Sequence, residues 1–136
     1  MRRVFIDSGY LVALVKKRDP YRAKALEVSA QLNQGQVEFI TTTAVIYEFL
    51  DALSQPLYRQ EAVQIWKLIQ RTGAIEVTPI TQALFEQAVD LYESRRDKKW
   101  GITNCMSFVV MNERGISDAL AVDADFEQAG FTLLLK

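Results

Sequence analysis

No histidine occurs in this 136-residue sequence, and cysteine occurs once, at Cys105. Without histidine the chain can hold no Ser-His-Asp triad, no Cys-His pair and no imidazole-bound metal. One cysteine can neither close an internal disulfide nor build a zinc cluster. Long apolar runs are also missing, since nothing approaches the roughly 18 uninterrupted apolar residues of a membrane span. The stretch MRRVFIDSGYLVALVKK sets basic residues before apolar ones, but Asp7 interrupts it and no small-residue cleavage site follows, so it is not read as a secretion signal. Charge of one sign is lacking too. Lys and Arg number 16 against 17 Asp and Glu, a net charge of −1, which offers no overall electrostatic footprint for nucleic acid and leaves only a local basic patch open. These absences point to a cytoplasmic protein with no membrane partner. Any chemistry must run on carboxylates, hydroxyls, amines or a hard cation held by oxygen.

What is present is a regular alternation. RRVFI is a short apolar run, followed by SGYLVALVKK at helical spacing, with Ser8 placed to cap that helix. YRAKALEVSAQLNQG reads as an amphipathic helix with Gly35 as its stop. VEFITTT is strand-like, and AVIYEFLDAL is a helix ended before Pro56. RQEAVQIWKLIQRTG is a helix stopped at Gly73, AIEVTPI a strand, and QALFEQAVDLYESRR a helix capped by Thr81. A further helix runs from about Thr103 to NERG, then come a strand in ISDALAV, a turn or two of helix in ADFEQAG and a last strand in FTLLL. Strands alternating with helices predict a single α/β domain over residues 1–136, with a mostly parallel sheet flanked by helices. Phe49, Trp66, Phe85 and Phe108 occur at helical spacing and are read as core.

In an open parallel sheet, ligands bind beyond the carboxyl ends of the strands, near the switch in strand order. Asp7 and Asp123 both stand at such ends. Glu48, in the helix after the second strand, borders an apolar face, an awkward place for a charge unless it points into a polar cleft. Asn104, in the first turn of another helix, is a fourth polar group able to converge there. Each alone has a plainer reading: a turn or N-cap for either Asp, a rim residue for Glu48, a capping amide for Asn104. Together, with no histidine available, they favour a magnesium site without excluding those alternatives.

The segments VFIDSGYLVAL, TTTAVIYEFLDAL, WGITNCMSFVVMNERG and ALAVDADFEQAGF resemble, in order, the segments of PIN-domain ribonucleases, most of all bacterial VapC-type toxins. The likeness runs from residue 3 to about residue 133. It implies a central parallel sheet of about five strands with helices on both faces. It implies hydrolysis of single-stranded or structured RNA with Mg2+ or Mn2+, usually through an acidic quartet. By position, Asp7 is the first acid, Glu48 the second and Asp123 the fourth, with Asp125 auxiliary. The third acid of the family stands in a Thr-Asp pair where this chain has Thr103-Asn104. The amide matches Asp in shape but brings no charge, which puts full activity in doubt. Asp97, seven residues earlier, is a nearby acid that could compensate. The resemblance also implies a cognate antitoxin protein and a homodimer, for which the helices at 21–34 and 58–72 offer exposed sides.

The residue types suit that chemistry. Magnesium takes one or two carboxylates directly and keeps several waters. Asp7 and Asp123 are the expected direct ligands, with Glu48 binding through water or orienting the nucleophile and Asn104 a weaker oxygen donor. The hydroxyls of Ser8, Thr43 and Thr103 are placed to fix a carboxylate's orientation. Arg95, Arg96, Lys98 and Lys99 could hold phosphates, and Trp100 could stack on an unpaired base. The alternative for that segment is a positive helix end complementing the macrodipole. Two functions stay open: a metal-dependent endoribonuclease, and a degenerate domain that binds RNA or a partner without cleaving. A phosphoacceptor receiver domain fits poorly, because only Asp7 follows the first strand.

Overall fold

The computed structural model describes residues 1–136. Its five strands, β1 (Arg2–Ile6), β2 (Val37–Thr42), β3 (Ile75–Thr78), β4 (Asp118–Leu120) and β5 (Thr132–Leu133), form one sheet in the order β3-β2-β1-β4-β5. Every neighbouring pair is parallel. Seven helices connect and flank the strands: α1 (Ser8–Val15), α2 (Arg22–Leu32), α3 (Thr43–Ala52), α4 (Pro56–Thr72), α5 (Gln82–Ser94), α6 (Ile102–Arg114) and α7 (Asp125–Gln128). None is long and apolar enough to cross a membrane.

Because successive side chains of a strand face opposite ways, the sheet divides the core in two. Val4, Ile6 and Leu120 enter one cluster with α1, α2 and α4, whereas Phe5, Ile40 and Ala119 enter the other with α5, α6 and α7. Helix α3 serves both clusters, sending Phe49 to the first and Val45 to the second. Both faces of the sheet are covered, as a parallel sheet requires.

The chain moves from β1 outward to β2 and β3, then returns across β1 to lay down β4. The switch in strand order therefore falls between β1 and β4, and Asp7 and Asp123 follow those two strands. The backbone N–H of Asp7 donates to the Leu120 carbonyl at 3.0 Å, fastening the two ends together. At the opposite end of the strands, Arg2 pairs with Asp118 at 2.9 Å.

Several local expectations are corrected. Ser8 does not cap α1; Asp7 holds the N-cap position without a side-chain cap bond. Helix α2 closes at Leu32 with Asn33 as its C-cap, short of Gly35. Gly73 and Gly115 do end helices, both in the left-handed conformation that favours glycine. Thr81 caps α5 by accepting from the Leu84 N–H. Phe49 and Phe108 are core, but Trp66 is only half-buried and Phe85 is 41% exposed. On α5 the inward positions are Leu84 and Ala88, and Phe85 sits about 100° round the helix from Leu84 and about 60° from Ala88.

Candidate active site

The carboxyl ends of the strands open into a depression of about 630 Å³ whose lining includes Asp7, Glu48, Asn104, Asp123 and Asp125. Four elements deliver these side chains: the β1–α1 junction, α3, the first turn of α6, and the segment leading from β4 into α7. Thus the four polar groups singled out in sequence do share one cleft, and Asp125 stands with them.

Asp7 is the most confined, at 5% exposure. Its Oδ1 is buried with no hydrogen-bond partner. Burial pushes its pKa up to about 7, against a lowering by the Ser8 backbone N–H, and the charges of Glu48 and Asp123 raise it further. Such a group is expensive to ionise in place. Glu48 is exposed as a residue, but its carboxyl points into the cleft, where desolvation raises its pKa. A 3.0 Å bond from the Ser8 hydroxyl to Glu48 Oε1 opposes that rise, and the charge of Asp123 adds to it. Ser8 therefore orients Glu48 across the mouth of the cleft.

Asn104 donates through Nδ2 to Asp123 Oδ2 at 2.9 Å and to Asp125 Oδ2 at 3.3 Å. The Asp125 backbone N–H donates to Asp123 Oδ1 at 2.9 Å, so both oxygens of Asp123 are fixed. The nitrogen of the amide, rather than its oxygen, faces the acids.

Other expected residues lie elsewhere. Thr103 lines the cleft, but Thr43 accepts from the Ile80 N–H at 3.1 Å and is not part of the lining. Asp97 pairs with Arg95 at 3.0 Å outside the cleft and cannot compensate for Asn104. Trp100 is 5% exposed, packs edge-on against Phe108 with ring centroids 5.1 Å apart, and donates its indole N–H to Gln128 at 3.2 Å. A base cannot stack on it without unpacking the core. Arg95 lies over the Trp100 ring at 4.8 Å as well as pairing with Asp97.

Two features of the cleft went unread in the sequence. A Cβ on Gly9 would come within 2.8 Å of Val122 Cγ2, so this glycine lets α1 approach the segment after β4. Only its place directly after Asp7-Ser8 hinted at this. Lys99 lines the acid cleft itself, a position that its basic neighbours alone did not suggest.

The carboxylates of Asp7, Glu48, Asp123 and Asp125, with an orphaned oxygen on the most buried of them, are the donors that fit a hard divalent cation. No three acids are gathered closely enough to enclose an ion.

A parallel α/β sheet with acids gathered at the switch point defines the class: an acid-cleft domain of PIN type. Residues 4–132 match the PIN domain family model, and the chain belongs to the PIN-domain family. It is 27% identical over 128 residues to the 23S rRNA-specific endonuclease VapC20 of Mycobacterium tuberculosis, covering 94% of this chain and 95% of that protein. The crystal structure of Mycobacterium tuberculosis VapC20, described as a sarcin-ricin loop cleaving toxin, matches with a TM-score of 0.84 and 26% identity, over 95% of this chain and 96% of that one. FitAcB from Neisseria gonorrhoeae shares the fold, with a TM-score of 0.65 and 10% identity over 96% of this chain and 95% of its own.

Proposed function

We propose that this protein is a metal-dependent endoribonuclease of VapC type, a toxin that hydrolyses single-stranded or looped RNA and is restrained by a cognate antitoxin. The observation that carries the reading is Asp7, a carboxylate buried at the end of the central strand with one oxygen unpartnered and other acids facing it. Such an arrangement works against stability and makes sense where a cation is to be held. The likeness to VapC20 over almost the whole of both chains supports the same activity.

Asp7 and Asp123 would hold Mg2+ or Mn2+ directly, with Glu48 acting through water and Asn104 setting the direction of Asp123. The chemistry such an ion would supply there is a lowered pKa for water and an offset to charge growing on the phosphoryl oxygens. Glu48, held by Ser8 and with its pKa raised, is the group to take the proton of the attacking water. Water would add to phosphorus as the bond to the leaving ribose oxygen breaks, and that oxygen would take its proton from solvent at the open cleft. Asn104 keeps Asp123 and Asp125 side by side despite their like charges.

For partners, an apolar depression of about 460 Å³, lined in part by Leu14, Phe39, Ile65 and Leu68, is a candidate seat for the antitoxin. A homodimer is also proposed, supported by exposed Leu26 on α2 and Val63 on α4. Light scattering at micromolar protein tests the dimer, and a monomer counts against it.

The alternative, a domain that binds RNA without cutting it, draws on the uncharged Asn104. Cleavage of an RNA stem-loop in magnesium, in manganese and in EDTA separates the two readings. Metal-dependent cutting supports the nuclease; metal binding with no cutting at any ion supports the degenerate domain.

A further inference from the structure

Beside the acid cleft lies a second depression of about 710 Å³, walled by the last turns of α5 and the loop up to Gly101. Lys99 and Gly101 line both, so the two form one continuous path. The second depression has the opposite chemistry, with four cations against the one carboxylate of Glu93. Arg95 is already engaged by Asp97 and the Trp100 ring. Arg96, Lys98 and Lys99 enter none of the five ion pairs in the structure. On the wall above them Tyr92 is 55% exposed and Val89 is 39% exposed.

A positive end complementing the α5 macrodipole accounts for charge close to the last turn. It does not account for an exposed tyrosine on the same wall, nor for a lysine that reaches into the acid cleft. A polyanion leaving the acid cleft past Lys99 would meet both. Phosphates suit the free cations, and an unpaired base suits an exposed aromatic ring.

We propose that this basic groove holds the unpaired RNA strand on one side of the scissile bond, with phosphates on Arg96, Lys98 and Lys99 and a base stacked on Tyr92. The proposal rests on the ribonuclease reading of the adjoining cleft and adds the substrate's path to it. It also moves the stacking role from Trp100, which is buried, to Tyr92.

The test uses the full chain and a fluorescent 12-nucleotide single-stranded RNA, titrated in EDTA over a range of salt so that nothing is cut. Alanine at Arg96, Lys98 or Lys99 should each flatten the plot of log affinity against log salt by about 0.7. Tyr92→Ala should weaken binding roughly 5- to 100-fold, with recovery in Tyr92→Phe and no effect on an abasic oligomer. Lys24→Ala, on α2, serves as the remote control and should bind as wild type. Wild-type affinity and salt slope in the triple alanine variant would overturn the groove. So would an oligoglutamate peptide of equal charge that binds the groove more tightly than the RNA does, marking a protein-docking surface. Cleavage in manganese keeps the two readings apart. Groove variants that bind and cut like wild type overturn the groove alone. RNA held through the groove but never cut supports the groove and overturns the nuclease reading alone.

Discussion

Asn104 Nδ2 lies 2.9 Å from Asp123 Oδ2, so this amide donates to the neighbouring acid where an ionised carboxylate would repel it. The same nitrogen reaches Asp125 Oδ2 at 3.3 Å. An aspartate could not make either bond while ionised. Among the cleft's polar groups, charge repulsion is therefore relieved on the β4 side and left unrelieved at Asp7, whose Oδ1 has no partner. The variants below separate these two halves of the site.

Asp7→Asn should abolish cleavage, because one fewer carboxylate leaves too little charge to hold a divalent cation. In EDTA the variant should be the more stable protein, and the difference should depend on pH. Asp7 titrates near 3.8 when unfolded and at about 7 in the fold. The folded state thus holds a proton that the unfolded state has lost between those values, and wild-type stability falls as pH rises through that window. The gap in Tm should be near zero at about pH 4 and reach several degrees by about pH 8. Manganese should raise the Tm of wild type and not of the variant. A gap independent of pH would show that Asp7 is not a strained carboxylate.

Ser8→Ala removes the hydroxyl that holds Glu48 Oε1 at 3.0 Å. Glu48 keeps its desolvation and loses the bond that opposes it, so its pKa should rise. Cleavage should fall roughly tenfold, as is common when the group orienting an acid is lost. The acidic limb of the rate profile should move to higher pH. An unchanged limb would place Glu48 outside the proton transfer.

The alternation of strands and helices was legible because period and punctuation agreed: Gly73, Gly115 and Thr81 mark helix ends both in sequence and in structure. FTLLL was read too long. Only Thr132–Leu133 joins the ladder, while Phe131 and Leu135 fill the core without pairing. The cleft was legible through four motifs, since each of its acids follows a strand or sits on a helix that packs against one. The loop from Arg95 to Trp100 was not. Its outcome depends on Arg95 folding back onto Asp97 and on Trp100 turning inward to Phe108, and neither leaves a periodic trace in sequence.

Trp100 gives a direct check on that loop. Trp100→Ala should cost about 3–5 kcal/mol, because it empties a packed site against Phe108. Trp100→Phe keeps an aromatic ring against Phe108 but loses the N–H bond to Gln128 and part of the indole volume, so its cost should be about 1–3 kcal/mol. Its RNA affinity should match wild type. Loss of RNA binding in Trp100→Phe well below its Tm would return the stacking role to the indole.

Asn104→Asp is the sharpest test of the β4 side. In the metal-free protein the change replaces two donated bonds with a carboxylate facing Asp123 and Asp125. Stability in EDTA should fall by about 1–3 kcal/mol, since two acceptors lose their donor and like charges meet. With divalent metal the sign should reverse. The added carboxylate supplies the charge that an amide cannot, so magnesium should bind more tightly and cleavage should quicken at least about tenfold. The shapes of the two side chains match, so the fold should be kept once metal is bound. Calorimetric titration with magnesium and manganese, beside an RNA cleavage time course for both proteins, reads the two effects separately. A variant that loses stability and gains neither affinity nor rate would make Asn104 a structural clamp that the site needs as an amide. A variant that gains both would make the wild-type protein a slowed nuclease, with its third acid replaced by a residue that steadies the fourth.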